Sequence, residues 1–205
     1  MEKIGQGLQF DVYSYGDKVI KRPTSVFHMC CKLLYWSPNL WLRPFKLKSE
    51  LTKAIQGRKY SIENIQKVKI NLELLGNPIF RRNEIEQDYV NVLGGYLNED
   101  INTSKIWVDK FIDLIFECWK YGFSENIFNL TANNGVDKFG KVIIIDIGEL
   151  TFEKNDVAKT IEIRGWENSW SFYSGLNKEI KEYYQEQMRT QLTLENLNKY
   201  WRLNK

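Results

Sequence analysis

The chain has 205 residues, with 29 Lys and Arg against 26 Asp and Glu, a formal charge of +3. That near balance excludes a histone-like or nucleic-acid-coating protein, which needs a clustered cationic excess. A composition of 43% hydrophobic and 27% charged residues is that of a globular domain and excludes intrinsic disorder.

Met1-Glu2-Lys3-Ile4-Gly5 offers no apolar core of a secretory signal. The longest apolar run, Val142 to Ile145, is far short of the roughly 20 residues that span a bilayer. A cytoplasmic protein with no membrane partner is the expectation. Cys30, Cys31 and Cys118 are odd in number and fit no zinc pattern, so reduced thiols are expected. His28 is the only histidine, and His28-x-Cys30-Cys31 is spaced too tightly to hold one metal well. Phe27, Cys30, Leu33 and Leu34 instead mark the apolar face of a helix over 26–36.

Residues 8–21 read as a β-hairpin. Leu8, Phe10 and Val12 alternate with polar neighbours, Tyr15-Gly16-Asp17 turns the chain, and Lys18 to Lys21 returns. After the 26–36 helix and a Pro- and Trp-rich connector, the periodicity predicts helices over 46–57 and 61–74, with Ser61 as N-cap of the second. Ile79-Phe80 and Tyr89 to Leu93 read as strands around a charged turn at Arg81 to Glu84. Gly94-Gly95 reads as a hinge. A helix over 103–121, with Ile106, Phe111, Leu114, Ile115 and Cys118 on one side, stops at Gly122. An Asn-rich loop precedes the buried-type strand Val142 to Ile145, and helices over 176–191 and 194–202 close the chain, the last behind Thr193.

Three features carry chemistry. Gly5-x-Gly7 precedes the hairpin, where the absence of Cβ atoms lets backbone N–H groups approach a phosphate. Lys21 ends an apolar strand, Val19-Ile20-Lys21, from which it reaches α- and β-phosphates or guards a sheet edge. Asp146-Ile147-Gly148 follows the strand 142–145, and a carboxylate at such a strand end suits a Mg²⁺ bridging phosphates. Asn134, twelve residues earlier, supplies a second hard oxygen.

In this order the residues resemble the protein kinase-like fold. Gly5-Gln6-Gly7 through Val12 is similar to the kinase glycine loop without its third glycine, Val19-Ile20-Lys21 to V-A-I-K, and Asp146-Ile147-Gly148 to D-F-G. The resemblance spans about residues 4–150. It implies an α+β, two-lobed architecture with a β-rich N-lobe (1–93) and a small helical C-lobe (94–205). It implies ATP and Mg²⁺ as ligands: Gly5, Gly7 and Val12 covering the nucleotide, Lys21 on its phosphates, Glu63 (or Glu50) orienting Lys21, and Asn134 and Asp146 holding metal.

The catalytic loop departs from the family. Asn129 stands where the catalytic Asp belongs, no His-Arg precedes it, and an amide cannot accept a hydroxyl proton as a carboxylate does. Glu125 is the nearest substitute, and a register on Ser124 to Ile127 leaves too long a gap to Asp146. No A-P-E segment follows, and Trp166, Trp170, Tyr173, Tyr183, Tyr184 and Trp201 are expected to seal the C-lobe rather than to stack nucleic-acid bases. Three readings follow. The first is an atypical kinase that phosphorylates a small molecule or a protein partner. The second is a pseudokinase acting as a binding or regulatory module. The third is an α+β interaction protein with no nucleotide site.

Overall fold

The computed structural model describes residues 1–168 and 175–202; Trp170 and Tyr173 lie outside them. The protein is mixed α+β. Its largest sheet is antiparallel, in the order β1-β2-β3-β5-β4. The strands are β1 (Glu2–Gln6), β2 (Phe10–Tyr15), β3 (Lys18–Pro23), β4 (Ile79–Phe80) and β5 (Ile85–Asp88). The hairpin forms as its alternation predicts, with Gly16 in the left-handed region (φ 62°) that its turn requires. Val19, Ile20 and Lys21 are all buried, so β3 is covered on both faces. Gly5 and Gly7 bracket the end of β1, which pairs β2 through an irregularity at Ile4.

Helix α1 (Val26–Trp36) starts at Ser25, whose hydroxyl accepts the His28 N–H. Its burial differs from the expected face: Met29 is enclosed, whereas Phe27 is 73% exposed. A 3₁₀ turn, Pro38–Leu42, then leads into α2 (Pro44–Lys67). The break expected between helices over 46–57 and 61–74 is absent: α2 runs through it and stops at Lys67, with Leu72–Leu75 a separate 3₁₀ turn. Gly57 lies inside α2, a loss of about 1 kcal/mol against Ala, offset by burial of Ser61 and Ile65 on the core. Ser61 is therefore no N-cap.

The turn at Arg81 to Glu84 forms, closed by Arg81 N–H to the Glu84 carbonyl (2.9 Å). The strand after it is Ile85–Asp88, and of the expected 89–93 only Asn91–Val92 is strand; in the first, Gln87 faces inward and its Nε2 donates to the Leu75 carbonyl at 2.6 Å. Beyond it, β6 (Asn91–Val92), β8 (Asn134–Val136) and β9 (Val142–Ile144) form a second antiparallel sheet, and β7 (Ser124–Glu125) pairs β10 (Leu150–Thr151).

Helix α3 (Ile101–Lys120) is capped by Asp100, which accepts the Thr103 N–H, and is released by Gly122 at φ 68°. Phe111, Leu114, Ile115 and Cys118 are buried as expected, with Val108 and Trp119 added, while Ile106 is exposed. Helices α4 (Lys154–Glu162), α5 (Lys178–Gln191) and α6 (Leu194–Tyr200) pack with α3 around Trp166, Tyr184, Met188 and Trp201. Among the described residues no helix is long and apolar enough to cross a membrane.

Two glycines on the seam between the sheets are tight. A Cβ at Gly135 would meet Val90 Cγ2 at 2.5 Å and the Asn91 carbonyl at 2.9 Å; one at Gly94 would meet the Thr131 carbonyl at 2.7 Å. Gly94 is thus a close-packing point. Gly135→Ala is expected to lower stability by about 1–3 kcal/mol, whereas Gly57→Ala, with open space at its Cβ, is expected to raise it by about 0.5–1 kcal/mol. Urea titration of the two variants measures both changes.

Candidate functional site

The end of β3 and the end of β9 come from different sheets and meet at one cavity of about 260 Å³. Gly5, Gly7, Val12, Val19 and Lys21 line it from the large sheet, Val90 and Val92 from the connection between sheets, and Ala132, Ile145 and Asp146 from the opposite side. Gly5, Gly7, Val12, Lys21 and Asp146 are thereby brought together.

Lys21 is the decisive group. Its ammonium is buried, donates to the Ile145 carbonyl, and has Asp146 as its acidic neighbour. Burial lowers its pKa, and Asp146 pulls the other way. Glu63 is not its partner: that carboxylate is exposed on α2 and pairs with Lys59 (3.7 Å) and Lys67 (3.8 Å). Glu50, the other candidate, pairs with Lys53 at 3.0 Å.

What α2 does bring to the site is Arg58 and Ser61. Arg58 Nη1 donates to the Gln9 carbonyl at 2.7 Å. Ser61 Oγ lies 3.2 and 3.0 Å from the Gly148 and Leu150 carbonyls and accepts the Leu150 N–H at 3.1 Å. Gly148 packs closely here: a Cβ would fall 2.0 Å from Gln9 Oε1 and displace that side chain. The turn after β1 is held from outside: Gly7 N–H donates to the Phe10 carbonyl (2.8 Å), and the Gly7 carbonyl accepts from Lys32 Nζ and Thr24 Oγ1.

Below Asp146 the Asn-rich loop is organised by Glu125. Its carboxyl accepts the Asn129 N–H at 2.6 Å, Asn133 Nδ2 at 2.8 Å and Asn134 Nδ2 at 3.2 Å. The Asn133 carbonyl in turn accepts the N–H groups of Ile145 (2.8 Å) and Asp146 (3.1 Å). Burial pushes the Glu125 carboxyl up to about 8, against these three hydrogen bonds. Glu125 is thus a buried organiser of the loop. Asn129 also serves the loop: its Oδ1 accepts the N–H groups of Thr131 (3.2 Å) and Ala132 (3.1 Å). Phe128, in the left-handed region at φ 50°, is a strained position for a bulky side chain, and Tyr184 donates its hydroxyl to the Phe128 carbonyl.

Asn134 also donates to the Asn129 carbonyl at 2.7 Å, and its Oδ1 is buried without a hydrogen-bond partner among the described residues. It borders a void of about 10 Å³ with Ser124 and Glu125 and, unlike Asp146, does not line the main cavity. Glu149, absent from the expectations, is the acidic neighbour of Asp146. Burial first, and the Asp146 charge second, raise its carboxyl to about 7. Its signal was in plain view, three residues past Asp146. Among the described residues no three His, Cys, Asp or Glu side chains group as metal ligands.

No protein-family model matches the chain, and no curated protein matches its sequence.

The folded Glu125 holds its proton up to about 8, against 4.5 for an ordinary Glu. Between those values the folded state binds more protons, so stability falls as pH rises, by a few kcal/mol in all (about 1.4 per pKa unit). Glu149 adds a smaller contribution of the same sign. Glu125→Gln is expected to be less stable at about pH 5, because its NH₂ opposes that of Asn134, and to lose most of the slope, so that the gap narrows or closes towards about pH 8. Urea midpoints from about pH 5 to about pH 8 check this; an unchanged slope in the variant would refute the assignment.

Proposed function

We propose that the protein is an atypical member of the kinase-like fold that binds ATP with a divalent cation in the cavity between its two sheets. One observation carries the reading: a buried strand lysine, Lys21, and a strand-end carboxylate, Asp146, converge from separate sheets on a cavity edged by Gly5 and Gly7. Burying an ammonium with one carbonyl bond and one acidic neighbour costs stability, which makes sense where a phosphate completes its shell. The arrangement also supports a two-lobed reading, with the five-stranded sheet and α2 on one side of the cavity and the α3-centred helices on the other.

In this reading the apolar walls at Val12, Val19, Val90 and Ile145 enclose the base, and Lys21 neutralises phosphate oxygens. The residues fit Mg²⁺ through the Asp146–Glu149 pair, whose mutual repulsion a cation relieves, whereas Asn134 does not line the cavity. When bound, the cation would supply charge neutralisation on the transferring phosphoryl group. Asn133 and Glu125 hold Asp146 in place through the loop. Transfer to a small molecule or a protein partner would rest on positioning and electrostatics, with no carboxylate at the Asn129 position to take the proton.

A second reading, a binding module without turnover, is favoured by one fact: Asn129 Oδ1 already accepts the backbone N–H groups of its own loop.

Calorimetric titration with ATP and Mg²⁺ tests the first step. Saturation at about 100 times Kd is expected to add roughly 2.7 kcal/mol of stability. Lys21→Ala and Asp146→Ala are each expected to remove the response, and wild-type protein that binds no nucleotide at all sinks the proposal. Asn129→Asp separates the two readings, because a gain in ATP turnover marks a kinase site with a weakened base, and none marks a binding module.

A further inference from the structure

Residues 24–49, between β3 and the second turn of α2, contain Lys32, Arg43, Lys46 and Lys48, together with His28, and no Asp or Glu. Their apolar side chains are mostly turned outward. Only Met29 and Leu40 are buried, whereas Phe27, Tyr35, Trp36, Trp41, Leu42 and Phe45 are exposed, Leu42 and Phe45 by 88% and 89%. Phe27, Cys31 and Tyr35 recur every fourth residue and so form one stripe along α1. Trp41 and Leu42 end the 3₁₀ turn, and Phe45 opens α2. The three elements pack on one another, so these residues belong to one corner of the molecule. A concentration of exposed large apolar groups of this kind marks an interaction surface.

Its charge selects the partner. Arg43, Lys46 and Lys48 form no ion pair among the described residues, while nearby acids are already engaged: Glu50 with Lys53, and Asp11 with Lys3. Lys32 is turned inward to the Gly7 carbonyl. The cores of protein–protein interfaces are depleted of Lys. Trp and Tyr mixed with Lys and Arg, without acids, are the composition that settles at the headgroup level of a bilayer, where the aromatic rings are half-solvated and anionic lipids attract the cations.

We propose that this α1–α2 corner docks on the surface of an anionic lipid bilayer, with Trp41, Leu42 and Phe45 entering the interface and Arg43, Lys46 and Lys48 facing the headgroups. The contact is peripheral, and it revises the expectation of no membrane partner, which rested on the lack of a spanning segment. It stands independently of the nucleotide reading.

Flotation of the full chain tests it, using phosphatidylcholine vesicles and phosphatidylcholine–phosphatidylglycerol vesicles. The protein is expected to float with the anionic vesicles and to be released by salt. The combined Trp41→Ser, Leu42→Ser, Phe45→Ser variant and the Lys46→Glu, Lys48→Glu variant are each expected to reduce partitioning by at least about tenfold. All five side chains are exposed, so unchanged melting curves show that both variants still fold. Absence of flotation on anionic vesicles, or flotation that neither variant weakens, overturns the proposal. So does a concentration-dependent dimer seen by light scattering, abolished by the serine variant, in a protein that binds no vesicle; that result assigns the corner to a second copy of the chain.

Discussion

The carboxyl of Glu125 is the point on which the centre of the molecule hangs. Three donors from residues 129–134 converge on it, and through Asn133 the same network reaches the N–H groups of Ile145 and Asp146. Ile145 then offers its carbonyl to Lys21 in the other sheet. A single buried acid thus fixes a loop, the loop fixes a strand end, and the strand end receives a lysine. Within it one acceptor, Asn134 Oδ1, lacks a partner among the described residues, which such a buried network tolerates at a cost. Apolar side chains beside Glu125 and Asn134, among them Phe111, Leu114 and Ile115, keep water from competing for those bonds.

The hydrophobic packing explains the fold but leaves the polar groups of the cleft to be accounted for separately. α3 contributes a continuous buried face and ties the C-terminal helices to β9, the ordinary business of a core. Lys21 and the Asp146–Glu149 pair are different, because a charge in a low-dielectric setting, or two like charges side by side, works against folding. Groups that cost stability and share one cavity are the usual mark of a site kept for binding. This is why the proposed function rests on them and not on the motif order alone.

Where a local rule decides the conformation, the sequence was readable. Gly16 and Gly122 need positive φ, Thr193 caps the last helix, and the apolar run 142–144 makes a buried strand. The cavity residues Gly5, Gly7, Val12, Lys21 and Asp146 were legible for the same reason, as chemistry placed at strand ends. Tertiary contacts decided the rest. Gly57 and Ser61 carry the local signature of a helix break, yet the docking of Ser61 on Leu150 keeps α2 continuous. Gln87 faces inward because the Leu75 carbonyl needs a donor, which no alternation pattern reveals. Glu63 sits on a helix at a plausible spacing but on its solvent side, beside two lysines that claim it. Glu125 was noticed as an acid near the loop, but its role depends on three asparagine and backbone donors folding around it.

Arg58 and Ser61 stand one turn apart on the same face of α2: Arg58 holds the backbone of Gln9, which lines the cavity, and Ser61 the backbone of residues 148–150, which follow the cavity residue Asp146. The rise of one helical turn, about 5 Å, therefore acts as a spacer bar between these two segments. A cavity braced in this way is a slot of preset gauge. A ligand that matches the gauge spends little of its affinity on ordering the protein, and one that does not match meets the stiffness of a whole helix.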